Sequence, residues 1–305
     1  VTSLHALDGG VNDPRDVFLI LKHQDELPVR IVPYYQTTNV FEVRSLNLPR
    51  IGGCLCIDGS MDSHTAALQE PYADNPSSSG VLYFTDEKLQ EFVLEAHRNG
   101  LQIAMHAIGD RAVDQLLDAY ENALKKHPRK DHRHRIEHIE VPTENQVKRC
   151  KELGIVLSIQ PAFVYYWDMR NFYEARLGIQ RAQRIHPYRF FLSEGILLGG
   201  GSDSPVTPID PIIGIHAAVN HLIPSHSTSV EEALRFFTID AAKLAFQEKT
   251  IGSIEAGKLA DIVVLSENPI AVQRERLKEI KVEATIKNGR FTYQSPRICL
   301  RKGLS

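Results

Sequence analysis

The stretch Leu101–Ala112, LQIAMHAIGDRA, decides the fold. A short apolar run, Ile103 to Met105, delivers His106 and is followed at once by Gly109 and Asp110. An amphipathic helix begins near Arg111. This is a strand ending in a polar turn, with a histidine at its C-terminal lip. Two later stretches repeat the shape. RIEHIE (135–140) places His138 at the end of a second short strand, and ILLGGGSDSP (196–205) places Asp203 at the end of a third. A single strand-end histidine is ordinarily a satisfied polar residue. His, His and Asp at three strand ends, in a chain that alternates strand and helix, read differently. Parallel strands of a closed barrel converge at their C-terminal ends, so residues distant in sequence meet in one mouth. Two imidazoles and a carboxylate there make a ligand set for zinc or a similar divalent ion.

The flanking sequence supports the alternation. Val1 to His5 reads as a strand closed by Gly9-Gly10, Pro14 to Glu26 as a helix, Val29 to Tyr35 as a buried strand, and Cys54 to Ile57 as a strand ending in Asp58-Gly59. Thr85 caps a helix to Arg98 with Gly100 just past its end, and Thr143 caps another that closes near Gly154. Ile155 to Gln160 is a strand, and residues 162–187 read as irregular. Thr228 or Ser229 caps a helix through Phe237. Beyond Gly252 the texture changes. Ile262–Leu265 is a strand, and Asn288-Gly289 between two β-rich runs signals a hairpin. The expectation is an α/β chain: a TIM-like (β/α)8 barrel over residues 1–250, and a distinct small β element over 251–305. About seven barrel strands are visible; the first would lie before Val1.

Composition narrows the class. The 305 residues carry a formal net charge of -3, so nothing points to nucleic acid or an anionic surface. No apolar run approaches the roughly 20 residues of a spanning helix, so no membrane role is expected. Cys54, Cys56, Cys150 and Cys299 match neither a zinc ribbon nor a disulfide scaffold, and a cytoplasmic protein is the default.

HAIGDRA, RIEHIE, GSDSPV, DGSMDSHTAAL and the tail GSIEAGKLADIVVL together resemble the amidohydrolase superfamily, in its branch of metal-dependent hydrolases that includes N-substituted formamide deformylases. The resemblance implies a distorted barrel with a small β-sandwich domain, to which 251–305 contribute. It implies that His106 and His138 are metal ligands. Asp203 is then a ligand and the catalytic acceptor of a proton from the attacking water. A metal lowers the pKa of bound water from 15.7 toward about 7 and polarises the carbonyl under attack. Three features depart from the family. No first-strand His-x-His is present; the only such spacing, His132-x-His134 in RKDHRHR, reads as a solvated charged approach. Cys54 occupies the position of a lysine that often bridges the metals; it is either a soft metal ligand or a small buried core residue. His64 stands near a position that is often arginine in substrate recognition.

Other residues carry plainer readings. Asp110 is expected to cap its helix and orient His106 from behind. Gln160 and Trp167 either line a substrate pocket or pack a long loop. Glu137 points away from His138 on a two-residue period and reads as a salt-bridge partner. His97, in a helix's last turn, needs no ligand role. Asp58–Gln69 resembles a calcium loop but lacks its glycine and closing glutamate. Gly199–Gly201 lacks a P-loop lysine and reads as close packing. The expected function is hydrolysis of an amide or formamide C–N bond of a small-molecule substrate, with zinc as cofactor. The rival is a non-catalytic barrel serving as a binding or scaffold protein. Without the first strand, this chain is expected to hold at most one ion, in the set Cys54, His106 and His138, and to show little activity. Its open edges, at the strands near His5 and Asp203, are expected to favour a homo-oligomer.

Overall fold

The structure, a computed structural model, describes residues 1–10, 13, 15–296 and 298. Seven strands form one all-parallel sheet in sequence order: β1 (Ser3–Gly9), β2 (Arg30–Tyr35), β3 (Arg50–Ile51), β4 (Gln102–Ala107), β5 (Arg135–His138), β6 (Val156–Ile159) and β7 (Leu198–Gly200). The helices are α1 (Arg15–Lys22), α2 (Val40–Ser45), α3 (Asp86–Arg98), α4 (Asp110–Lys126), α5 (Glu144–Leu153), α6 (Phe163–Tyr166), α7 (Ala175–Ala182), α8 (Tyr188–Ser193), α9 (Pro211–Val219), α10 (Val230–Phe236) and α11 (Ile239–Leu244). The edges are β1 and β7, where the sequence placed them.

The strand register divides the side chains into two layers. Ile103, Met105, Ile136, Leu157 and Leu198 pack outward among Leu89, Val93, Val113 and Leu116 of α3 and α4. Each fully buried side chain of this kind contributes about 1.5–3 kcal/mol. The inward layer is polar. Arg135, only 1% exposed, makes two bonds to Glu137 at 2.8 and 2.7 Å. It reaches Tyr34 Oη at 2.9 Å and His5 Nδ1 at 3.0 Å. The expected Glu137 salt bridge is therefore present, and it is fully buried. In a flat sheet β1 and β5, four spacings apart, would lie about 19 Å from each other. The His5–Arg135 contact requires the sheet to curl into a half-barrel, with its polar layer inside.

A separate antiparallel sheet follows, in order β10 (Arg290–Gln294), β9 (Val282–Lys287), β8 (Ile262–Leu265). The hairpin falls at Asn288-Gly289 as expected. The sheet is clasped to the body by Arg30, which pairs with Asp261 at 2.5 Å, and by Lys287, which donates to the carbonyls of Gln24 and Leu27. Among the described residues no helix is long and apolar enough to cross a membrane.

Three local expectations are corrected. The strand expected at Cys54–Ile57 is not one: β3 is Arg50–Ile51, and only Cys56 keeps an isolated bridge to His106. Residues 162–187 are not irregular. They hold α6, a π-helical turn Met169–Glu174, and α7. His132 and His134 are not solvated; they are 5% and 0% exposed, with His134 stacked on Tyr120. The charged run enters the closed floor of the half-barrel, where these rings have backbone partners. The close packing expected at Gly199 and Gly200 is present. A Cβ would lie 2.7 Å from Leu244 at the first and 2.6 Å from Phe237 at the second.

Candidate metal centre

Register explains how the two histidines meet. His106 of β4 is paired with Glu137 of β5, and Ala107 with His138. Paired residues share a face, so an extended His138 would point away from His106. Its backbone is instead left-handed, with φ 77°, and so is that of Ile139, with φ 48°. Such strain in non-glycine residues collects at functional sites. The turn brings the rings edge to face, with centroids 4.5 Å apart. Asp203 too has a positive φ, 55°, just after β7.

The groups behind His106 fix its tautomer. Its Nε2 lies 3.0 Å from the carbonyl of Gly59. A carbonyl can only accept, so Nε2 carries the hydrogen and Nδ1 keeps the lone pair. Asp58 Oδ1 stands 3.5 Å from the same nitrogen. Burial opposes the charged imidazole, but Asp58 and the Gly59 carbonyl outweigh it and hold the His106 pKa above the usual value. His138 has the opposite balance. Burial and then the charge of His106 push its pKa well down, and its Nδ1 is buried without a partner. Gln160 opposes this shift, and Phe163 stacks on the ring at 6.0 Å. Burial raises the pKa of Asp203, with His106 opposing and Glu137 adding.

Cys54 is exposed, which removes the buried-core reading for this residue. The neighbouring Cys56 side chain lowers its thiol pKa to about 7 against the cost of burial, with His106 adding. The Cys56 thiol is pushed up by Cys54 and by burial, and it donates to the Cys54 carbonyl at 3.4 Å. Of the remaining expected residues, Gln160 stands beside His138, and Trp167 packs edge-on against Phe163 at 4.6 Å. His64 is held by Asp74 at 3.0 Å and lies against Tyr72. The Asp110 carboxylate accepts from the backbone of Gln69 and from Arg184. The carboxylate behind His106 is that of Asp58, which sequence reasoning weighed only as a calcium ligand. Its signal was available: the N–H groups of the HAIGD turn need an acceptor, and Asp58 takes those of Ile108 and Gly109. Glu140 was also passed over. Burial pushes its pKa up to about 8, with His106 opposing and Asp58 and Asp203 adding.

As the side chains stand, no three His, Cys, Asp or Glu among the described residues converge closely enough to hold an ion. The donor chemistry nevertheless suits a divalent metal. An imidazole with a fixed tautomer packs edge to face on a second imidazole whose buried Nδ1 has no partner, with a carboxylate and a thiol of lowered pKa in the same electrostatic environment.

A family model described as "Amidohydrolase family" matches residues 5–293. The putative amidohydrolase YtcJ of Bacillus subtilis is 36% identical over 251 residues, covering 78% of this chain and 46% of that protein. N-substituted formamide deformylase of Arthrobacter pascens is 29% identical, covering 80% and 46%. An uncharacterized metal-dependent hydrolase from Pyrococcus furiosus superposes with a TM-score of 0.69 at 33% identity, covering 84% of this chain and 53% of that one. The chain spans about half the length of the curated relatives it matches.

Proposed function

The chain belongs to the amidohydrolase family, and from that premise we propose that it carries the metal-binding half of a hydrolase that cleaves an amide or formamide C–N bond of a small molecule. The half-barrel is read as the main part of a (β/α)8 barrel over residues 1–250, and 251–305 as part of a β-sandwich domain. Zinc is the ion the donor set suits best, because imidazole and thiolate are its preferred ligands. His106 binds through Nδ1, since its Nε2 hydrogen is committed to Gly59. His138 offers the buried Nδ1, and Cys54 the third donor. When bound, the ion supplies a water acidified to a pKa of about 7 and polarises the substrate carbonyl.

The rest is done by side chains. Asp203, whose raised pKa strengthens it as a base, accepts a proton at its carboxylate and returns it to the departing amine. Gln160 and Trp167, grouped around His138 and Phe163, orient the substrate, and His64 contacts its far end. Homology to the formamide deformylase supports the bond type. The observation that carries the reading is the His106–His138 pair at 4.5 Å with one orphaned nitrogen.

Zinc titration against a competing chelator tests it. The parent should bind zinc, and His106→Asn or His138→Asn should each weaken binding by at least about tenfold, as loss of a supporting group alone does. Equal affinity in all three proteins would end the metal assignment. Release of amine from a panel of N-formyl amines and simple amides tests the bond type.

A further inference from the structure

Cys54 and Cys56 stand two residues apart on a backbone fixed at several points. The amide of Gly52 donates to Tyr35, that of Cys54 to Leu7, and that of Ile57 to His106, at 2.8–2.9 Å. His106 in turn donates its own amide to Leu55. The Cys56 thiol donates back to the Cys54 carbonyl at 3.4 Å, which folds its sulfur over the Cys54 residue. Cys54 is exposed and Cys56 half-buried, whereas Cys150 is buried. The two thiols thus sit on one short, pinned stretch of chain, one of them exposed to solvent.

We propose that Cys54 and Cys56 are an oxidative modification site, closing to an intramolecular disulfide when the protein meets a peroxide. The Cys54 sulfur, the more exposed of the two, attacks a peroxide oxygen and breaks the O–O bond. This leaves Cys54 as a sulfenic acid and releases hydroxide, which leaves as water with the Cys54 proton. The Cys56 sulfur then displaces the sulfenic hydroxyl, forming the S–S bond, and its proton departs with that hydroxyl as a second water. Two thiols are oxidised by two electrons and the peroxide is reduced to two waters. The thiol chemistry stands apart from the metal reading. Its effect on the site rests on that reading, because a bridged Cys54 can no longer donate to an ion.

The test uses the protein in a Cys299→Ser background, freed of metal and exposed to hydrogen peroxide. Mass spectrometry should find a loss of two hydrogens within the peptide that holds both cysteines, reversed by dithiothreitol, while Cys150 stays reduced. Cys54→Ser and Cys56→Ser should each abolish that loss, with circular dichroism confirming that both fold. Over-oxidation of Cys54 while Cys56 remains open to alkylation would overturn the proposal, as would two unreacted thiols. Zinc added before peroxide should protect the pair. A pair that bridges as readily with zinc upholds the disulfide and removes Cys54 from the ligand set.

Discussion

Asp58 is fully buried, and both of its oxygens face N–H donors. Oδ2 takes the amides of Ala67 and Gly109, and Oδ1 takes that of Ile108 beside the His106 ring. An asparagine there sets an NH2 group against a donor whichever way its amide is turned. Each donor left unmatched costs about 1–3 kcal/mol. Asp58→Asn should therefore lower the melting temperature, and it should weaken zinc binding about 10–100-fold by freeing the His106 ring. Unchanged zinc affinity in a chelator competition would show that Asp58 holds only the loop. The contrast with Asp110 marks how far single residues were legible. His106 and His138 could be placed at strand ends from apolar spacing alone. Which carboxylate stands behind His106 depends on where two loops cross, and local sequence does not encode that crossing. The left-handed turn at His138 was equally hidden, because no glycine marks it.

At the level of elements, strong caps and long periodic helices were legible. The capping box at Thr143 and Gln146 and the left-handed Gly154 close α5 as expected. Short elements were not. β3 is two residues long and held by its neighbours, so the apolar run Cys54–Ile57 was the more strand-like stretch. α7 is broken internally at Gly178, with φ 74°. A chain of histidines joins α3 to the floor of the barrel, and the charged sequence around His132 and His134 gives no sign of it. Its hydrogen bonds run one way. His97 Nε2 donates to the His127 carbonyl, His134 Nε2 donates to His97 Nδ1, and His134 Nδ1 accepts from Ile103. His132 Nε2 donates to the Leu153 carbonyl, and its Nδ1 accepts from His134. Every ring is used once as donor and once as acceptor, which only neutral imidazoles allow. Burial, with Arg129 adding, depresses all three pKa values, that of His132 to about 4; Asp131 opposes at His132. The unfolded chain takes up these protons near pH 6.5 and the folded chain does not. Stability is therefore full above pH 6.5 and falls as pH drops from there toward 4, by on the order of 3 kcal/mol from His132. Urea melts between pH 7.5 and 4.5 should show this loss, and His132→Gln should flatten it. A variant as acid-sensitive as the parent would exonerate the floor.

Across the whole molecule, the sequence supported the alternation of strand and helix and the separate C-terminal β element. The polar lining of the curled sheet was out of its reach, because Arg135, His5 and Tyr34 meet only once the sheet has curved. Those meetings span long stretches of chain: 130 residues between His5 and Arg135, and 231 between Arg30 and Asp261. The Arg30–Asp261 clasp thus also sets an order of events. Distant contacts repay their loop-closure entropy late, so a topology of this kind folds slowly. On a ribosome, β1 and β2 emerge long before the residue that fastens them to the C-terminal sheet, and they wait unclasped in the interval. Asp261→Asn should then remove an interaction made after the rate-limiting step. It should leave the refolding rate unchanged while costing about 2 kcal/mol, seen in stopped-flow as unfolding faster by roughly tenfold or more. Slower refolding instead would mean that the C-terminal sheet joins β1 and β2 early, and that the clasp is part of the step that commits the fold.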